Sequence, residues 1–187
     1  MPFDPYYSPP KGWLPEAAGL TVNQLAAIGF VITTWAALES IYQHTLFVLV
    51  QSPDTLGQAL TEDLGPDNRS KALKRLCSSW KLILSEDFTE QIGALDKLEH
   101  LNKWVDTNKA KRNQIAHWNW IREDDQHMFA FKYHLRPYNL TDNRPKGLRT
   151  THDELFKFGG EISQKASEFL SLMPSLDKLP PWPHKSA

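Results

Sequence analysis

The 187-residue chain has one cysteine, Cys77. An intramolecular disulfide framework and a cysteine-built zinc cluster are therefore excluded, and a reducing compartment is the simpler setting. The thiol reads as a small apolar core residue. Among the seven histidines there is no H-E-x-x-H and no pair four residues apart, so neither a metal nor a cofactor is expected. The nine glycines form no G-x-x-x-x-G-K-[ST] loop, no G-x-G-x-x-G turn and no G-x-S-x-G elbow. This sets aside phosphate-loop, dinucleotide and hydrolase chemistry. Charge of one sign is also lacking: the formal net charge is −1, so any attraction to nucleic acid must come from a local patch.

Uninterrupted hydrophobic runs are missing as well. The most apolar stretch, Leu25 to Val50, is long enough to cross a bilayer, but Thr33, Thr34, Glu39, Ser40, Gln43 and His44 interrupt it. A charge at the centre of a lone span costs about 2.5–3.5 kcal/mol on insertion scales, which favours a core helix with no membrane partner. The opening residues Met1-Pro2-Phe3-Asp4-Pro5 lack a basic segment followed by an apolar one, so no secretory signal is expected and the location is expected to be cytoplasmic.

What is present, 41% hydrophobic and 23% charged residues, suits one globular domain with a real core. Five prolines in residues 1–20 and three in residues 175–187 mark extended arms around a helical domain at 21–174. Leu25, Ile28, Ile32, Trp35, Leu38, Tyr42, Leu46 and Leu49 recur at steps of three or four, predicting a long helix from Thr21 to near Pro53. Turn signals at Gly57 and Gly65-Pro66 punctuate the next stretch, where a short helix is suggested around Thr55 to Asp63. Asp67 is a candidate cap for a helix bearing Leu73, Leu76, Trp80 and Ile83, and Ser85 or Asp87 for one bearing Phe88, Ile92, Leu95, Leu98, Leu101 and Val105. Thr151-His152-Asp153-Glu154 has capping-box spacing before the stripe Leu155, Phe158, Ile162, Ala166, Phe169 and Met173, which runs up to Pro174. Alternating Phe129, Phe131 and Tyr133 predict a β-hairpin from about Trp118 to Leu135 whose aromatic face packs on the helices, with Arg136 to Arg149 as a loop. The fold class is therefore mostly α: a bundle of four to five helices with a small β-hairpin.

The residues that carry chemistry cluster at Arg112-Asn113-Gln114-Ile115-Ala116-His117. On a helix Asn113 and His117 stack on one face, whereas Arg112 and His117 diverge by about 140°. From Lys97 to Arg122, Lys97, Lys103, Lys109, Lys111, Arg112 and Arg122 outweigh Glu99 and Asp106, a basic setting suited to an anion. Glu39, inside an apolar helix, needs a cation such as Arg112 or Arg75, and reads as half of a structural ion pair. Trp104, Trp118 and Trp120 near the motif read first as packing anchors and second as surfaces for stacking bases.

Arg112-Asn113-x-x-x-His117 at the end of a helix resembles the R-x4-6-H motif of the HEPN (higher eukaryotes and prokaryotes nucleotide-binding) domain family, over roughly Thr21 to Met173. The resemblance implies a HEPN-like bundle and a metal-independent endoribonuclease, a toxin or defence component, with a composite site across a homodimer. It implies that Arg112 neutralises the scissile phosphate, His117 moves the proton and Asn113 orients His117 or the phosphate. Lys109, Lys111 and Trp118 would contact RNA. A cognate antitoxin or other protein partner fits such a system. A tyrosine two residues beyond the histidine marks one subgroup of HEPN toxins, but that position is Asn119 here, so its tyrosine-modifying antitoxin mechanism gains no support. Trp118 stands where a small residue is common. The alternative implied by the same resemblance is a noncatalytic dimerisation or partner-binding module.

Overall fold

A computed structural model describes residues 19–51, 64–131 and 147–182. The fold is mostly helical, with four helices and a small antiparallel sheet among the described residues: α1 Val22–Val50, α2 Pro66–Ile83, α3 Thr89–His117, β1 Asn119–Arg122, β2 His127–Phe131, β3 Gly147–Thr151 and α4 His152–Leu176. The helix suggested around Thr55 to Asp63 lies outside the described residues.

Local chemistry explains most boundaries. Thr21 opens α1 with a reciprocal capping box to Gln24, and Thr151 opens α4 with one to Glu154, as its spacing predicts. Helix α2 is not capped by Asp67. Its N-cap is Gly65, and Pro66 follows at the first helical position, where its missing N–H costs nothing. Neither Ser85 nor Asp87 caps α3, whose N-cap is Phe88, with no side-chain cap bond. Helix α4 runs past Pro174 to Leu176, because a proline in the last turn forfeits a single ladder bond.

Helices α1, α2 and α4 run parallel to one another and antiparallel to α3. Contacts of Leu49 with Trp80, Asp67 with Lys109, and Glu90 with Ser175 fix these directions. The buried stripe of α1 is Gln24, Ala27, Val31, Trp35, Leu38, Tyr42, Thr45, Leu46 and Leu49. Its N-terminal half is rotated by about one residue from the expected one: Leu25 is 55% exposed while Ala27 and Val31 are buried. The cause is close approach of α4, where Gly159 leaves the space that the Phe30 ring occupies. The outer face of α1, with Leu25, Ala26, Thr33, Ala36 and Ser40, stays exposed. By length and composition α1 also passes as a membrane span, although it packs here on all three other helices.

The sheet has the order β1-β2-β3, so the hairpin gains a third strand, Gly147–Thr151, whose first three residues fall in the stretch Arg136 to Arg149 read as a loop. Local signals at Pro145 and Gly147 hid a strand that exists only through its pairing with β2. The inward positions are Trp120, Met128, Ala130, Leu148 and Thr150, with Met128 and Ala130 fully buried. Phe129 and Phe131 therefore point away from the helices and stack on each other at 6.3 Å, the reverse of the expected aromatic face. Gly147 is required because the Phe129 ring fills the place of a Cβ. Trp120 Nε1 donates to Ile115 O at 3.0 Å, which makes this tryptophan a packing anchor. The turn is held to α1 by buried Gln24, whose amide donates to Asp124 O and His127 O at 3.0 and 3.2 Å.

The chain beyond α4 is no free arm up to Trp182. Gln51, in the left-handed conformation at φ 49°, ends α1. Its amide donates to Leu179 O and Pro180 O and accepts from Trp182 N. The Trp182 ring stacks on Trp80 at 4.2 Å, and Trp80 Nε1 donates to Leu49 O, a carbonyl in the last turn of α1. Replacing Trp182 with alanine removes this stack, and chemical denaturation should show a loss of about 1–2 kcal/mol. At the hairpin turn, backbone N–H donors of His127 and Gln126 hold the Asp124 carboxyl down at about 2. Its folded value lies below its unfolded one, so its stabilisation is present above about pH 4 and lost as pH falls toward 2. Asp124→Asn should lower the melting temperature at pH 7, with the gap to wild type closing between about pH 4 and pH 2. A gap independent of pH would count against this role.

Candidate functional site

Arg112 lies on the inner side of α3, about three to four turns after the Leu98 and Leu101 core positions, where α3 crosses the middle of α1. Its guanidinium packs over the Trp35 ring with Cζ 5.9 Å from the centroid. One terminal nitrogen donates to Glu39 Oε2 at 3.4 Å and the other to Asn113 Oδ1 at 3.1 Å. Nε is buried with no hydrogen-bond partner. The side chain is 19% exposed, and that of Glu39 36%. Glu39 Oε1 accepts from Trp35 Nε1 at 2.9 Å, so both carboxylate oxygens are engaged. The expected ion pair at Glu39 is present with Arg112, and Glu39 is a positioning group.

Of the other motif residues, Asn113 meets the guanidinium within one chain and His117 does not. Asn113 and His117 are exposed, and His117 is the last residue of α3. Regular helix to that point keeps His117 and Arg112 about 140° apart. Trp118 ends the helix in an extended conformation, its N–H bonded to Gln114 O, and is partly buried.

The neighbouring lysines are committed elsewhere. Lys109 binds Asp67 at 2.5 Å and Asp106 at 3.1 Å, and these acids push its ammonium pKa upward, the Asp67 hydrogen bond contributing most. Lys111 sits 4.2 Å from the Phe158 ring centroid, on the α4 side of α3. Glu39 and Asp67 thus bring negative charge to a surface that looks strongly basic in the linear sequence. Of the three cations in the motif region, Arg112 alone meets Glu39 and Asn113.

Beside the pair, Trp35, Leu38, Pro66, Arg69, Val105 and Asn113 line a narrow cleft between α1, the start of α2, and α3. Its floor is a polar chain that residue spacing did not reveal. Tyr42 Oη donates to Asn102 Oδ1 at 2.5 Å, Asn102 Nδ2 to Ser70 O at 3.2 Å, and Ser70 Oγ to Asp106 Oδ2 at 2.6 Å. Burial drives the Tyr42 phenol pKa upward, so it stays a neutral donor. Burial likewise pushes the Cys77 thiol up to about 12, which makes it an inert packing group. The only sequence signal for this network was polar residues at core-facing helical positions. No group of His, Cys, Asp and Glu able to hold a metal occurs among the described residues.

No family model, curated protein or solved structure matches the chain.

The Glu39–Arg112 contact lies between the exposed and the buried regimes. A double-mutant cycle with Glu39→Ala and Arg112→Ala should give a coupling energy of about 1–2 kcal/mol in urea denaturation. Coupling indistinguishable from zero would reduce the pair to a proximity without energetic content.

Proposed function

We propose that the chain is a HEPN-like, metal-independent endoribonuclease that acts as a homodimer. One observation carries the reading: an arginine with an unsatisfied buried Nε and a single long carboxylate contact is bonded to Glu39 and Asn113, which line a narrow cleft, and lies five residues before an exposed histidine. Such a guanidinium retains donors and charge for a phosphate, and a two-oxygen fork suits it. The divergence of Arg112 from His117 argues that the groups meet across two copies rather than within one.

In the proposed reaction Arg112 binds a non-bridging oxygen of the scissile phosphate. His117 transfers protons while the 2′-oxygen attacks phosphorus and the P–O5′ bond breaks. The hydroxyl proton leaves O2′ and a proton is delivered to O5′, which gives a 2′,3′-cyclic phosphate and a 5′-hydroxyl with no redox change. Asn113, exposed and bonded to Arg112, orients the guanidinium or the phosphate. Glu39 and Trp35 hold the arginine from behind. The role in a toxin or defence system, and an antitoxin partner, belong to the same proposal.

A second reading is favoured by the Glu39 contact itself. Arg112 then joins α1 to α3 for stability alone, and the chain is a noncatalytic dimerisation or partner-binding module.

The deciding experiment incubates a mixed RNA pool with purified wild type, His117→Ala and Arg112→Gln in the presence of chelator, with product ends identified. Wild type is expected to leave 2′,3′-cyclic phosphate ends, and each variant, still folded, to lose about a hundredfold or more in rate. Equal cleavage by wild type and His117→Ala, or none by any protein, would favour the noncatalytic module.

A further inference from the structure

Helix α2 carries five basic residues, Arg69, Lys71, Lys74, Arg75 and Lys81, against one acid, Asp67, in a protein whose net charge is −1. The acid is taken by Lys109 of α3. Lys81 is paired with Asp96 and Glu99. Lys71, Lys74 and Arg75 are exposed, and among the described residues none of them forms a salt bridge, Asp67 acting on Lys71 only at longer range. Together with the exposed hydroxyls of Ser78 and Ser79 they line one shallow hollow on the outer face of the helix. The steps of three and four from Lys71 to Ser78 put these groups in a stripe about 10 Å long. Three cations free of salt bridges, followed along the helix by two hydroxyl donors, suit a run of phosphates, each of which carries charge and accepts hydrogen bonds.

We propose that the outer face of α2 is a phosphate-tracking surface that holds single-stranded RNA leading to the Arg112–His117 region, an inference that rests on the ribonuclease reading for its substrate. The layout supports this direction. Helix α2 begins beside Lys109, which is one turn before Asn113, and Lys71 lies one turn into α2 beyond Asp67. The stripe thus starts on the order of 15 Å from Asn113 by helical rise. A membrane surface fits less well. The apolar side of α2, with Leu73, Cys77 and Trp80, is buried in the core, and serines flank the cations where a membrane-lying helix would show apolar residues.

The test uses the full chain carrying His117→Ala, so that RNA is bound without being cut, and a fluorescein-labelled mixed-sequence 20-nucleotide RNA read by anisotropy over a salt series. Replacing Lys71, Lys74 and Arg75 with glutamine should weaken binding at least tenfold. It should also flatten the plot of log affinity against log salt by about two, the slope expected for three lost contacts to a single strand. Arg149, Lys157 and Lys178, all exposed, replaced together by glutamine remove the same charge and should change neither quantity. The melting temperature of each variant checks the fold.

An unchanged salt slope in the α2 variant, equal losses in both triple variants, or no saturable RNA binding at all would overturn the proposal. Anionic phosphatidylserine vesicles bound as tightly as RNA through the same three residues would overturn it in favour of a membrane. Cleavage by the wild type separates the two readings. RNA binding that depends on α2 without cleavage keeps this surface and removes the nuclease, whereas cleavage with an α2-independent affinity and Michaelis constant keeps the nuclease and removes this surface.

Discussion

Glu39 is the only charged side chain in a helix of 29 residues, and a partly buried carboxylate without a partner is costly. Its two oxygens take one donor from Trp35 in the same helix and one from Arg112 in α3, so a single side chain ties α1 to the motif helix. The tryptophan ring also lies beneath the guanidinium and 6.4 Å from Trp104. Packing of α1 on α3 therefore sets both the position and the charge environment of Arg112. Any change in how α1 sits in the bundle reaches the candidate site through this contact.

Helix α2 is fixed to the same place by different chemistry. The chain from Tyr42 through Asn102 and Ser70 to Asp106 pins its first turns against α1 and α3, and the Asp67–Lys109 pair closes the outside. Buried polar chains of this kind are tolerated when each member is satisfied, and they disfavour sliding of one helix along another. At the far end the lock is aromatic, with the Trp80 ring stacked on Trp182 and its N–H donating to Leu49 O.

Helical periodicity made the four helices legible, because apolar residues at steps of three and four survive any detail of packing. Thr151 with Glu154 was readable for the same reason: a capping box is purely local. The acid–base partnership of Glu39 with Arg112 could be anticipated because a lone acid on an apolar helix demands a cation. Strand β3 could not, since its stabilisation comes from pairing with β2, and neither could the outward turn of Phe129 and Phe131, where Ala130 and Met128 took the core side through register. The committed state of Lys109 was equally hidden. Counting charge along one segment omits Asp67, which arrives from another helix. The α2 stripe was present in the letters, but its freedom from salt bridges is a property of the folded arrangement.

The most extensive helix–helix interface joins α1 to α4, the first and last helices of the described chain, with Gly159 receiving Phe30. On the ribosome α1 emerges roughly a hundred residues before α4 begins, a delay on the order of ten seconds at ordinary elongation rates. For that time an apolar helix lacks its main cover. The burial that stabilises the finished bundle thus forms last in synthesis, and the dominant contact is the one that closes the longest loop.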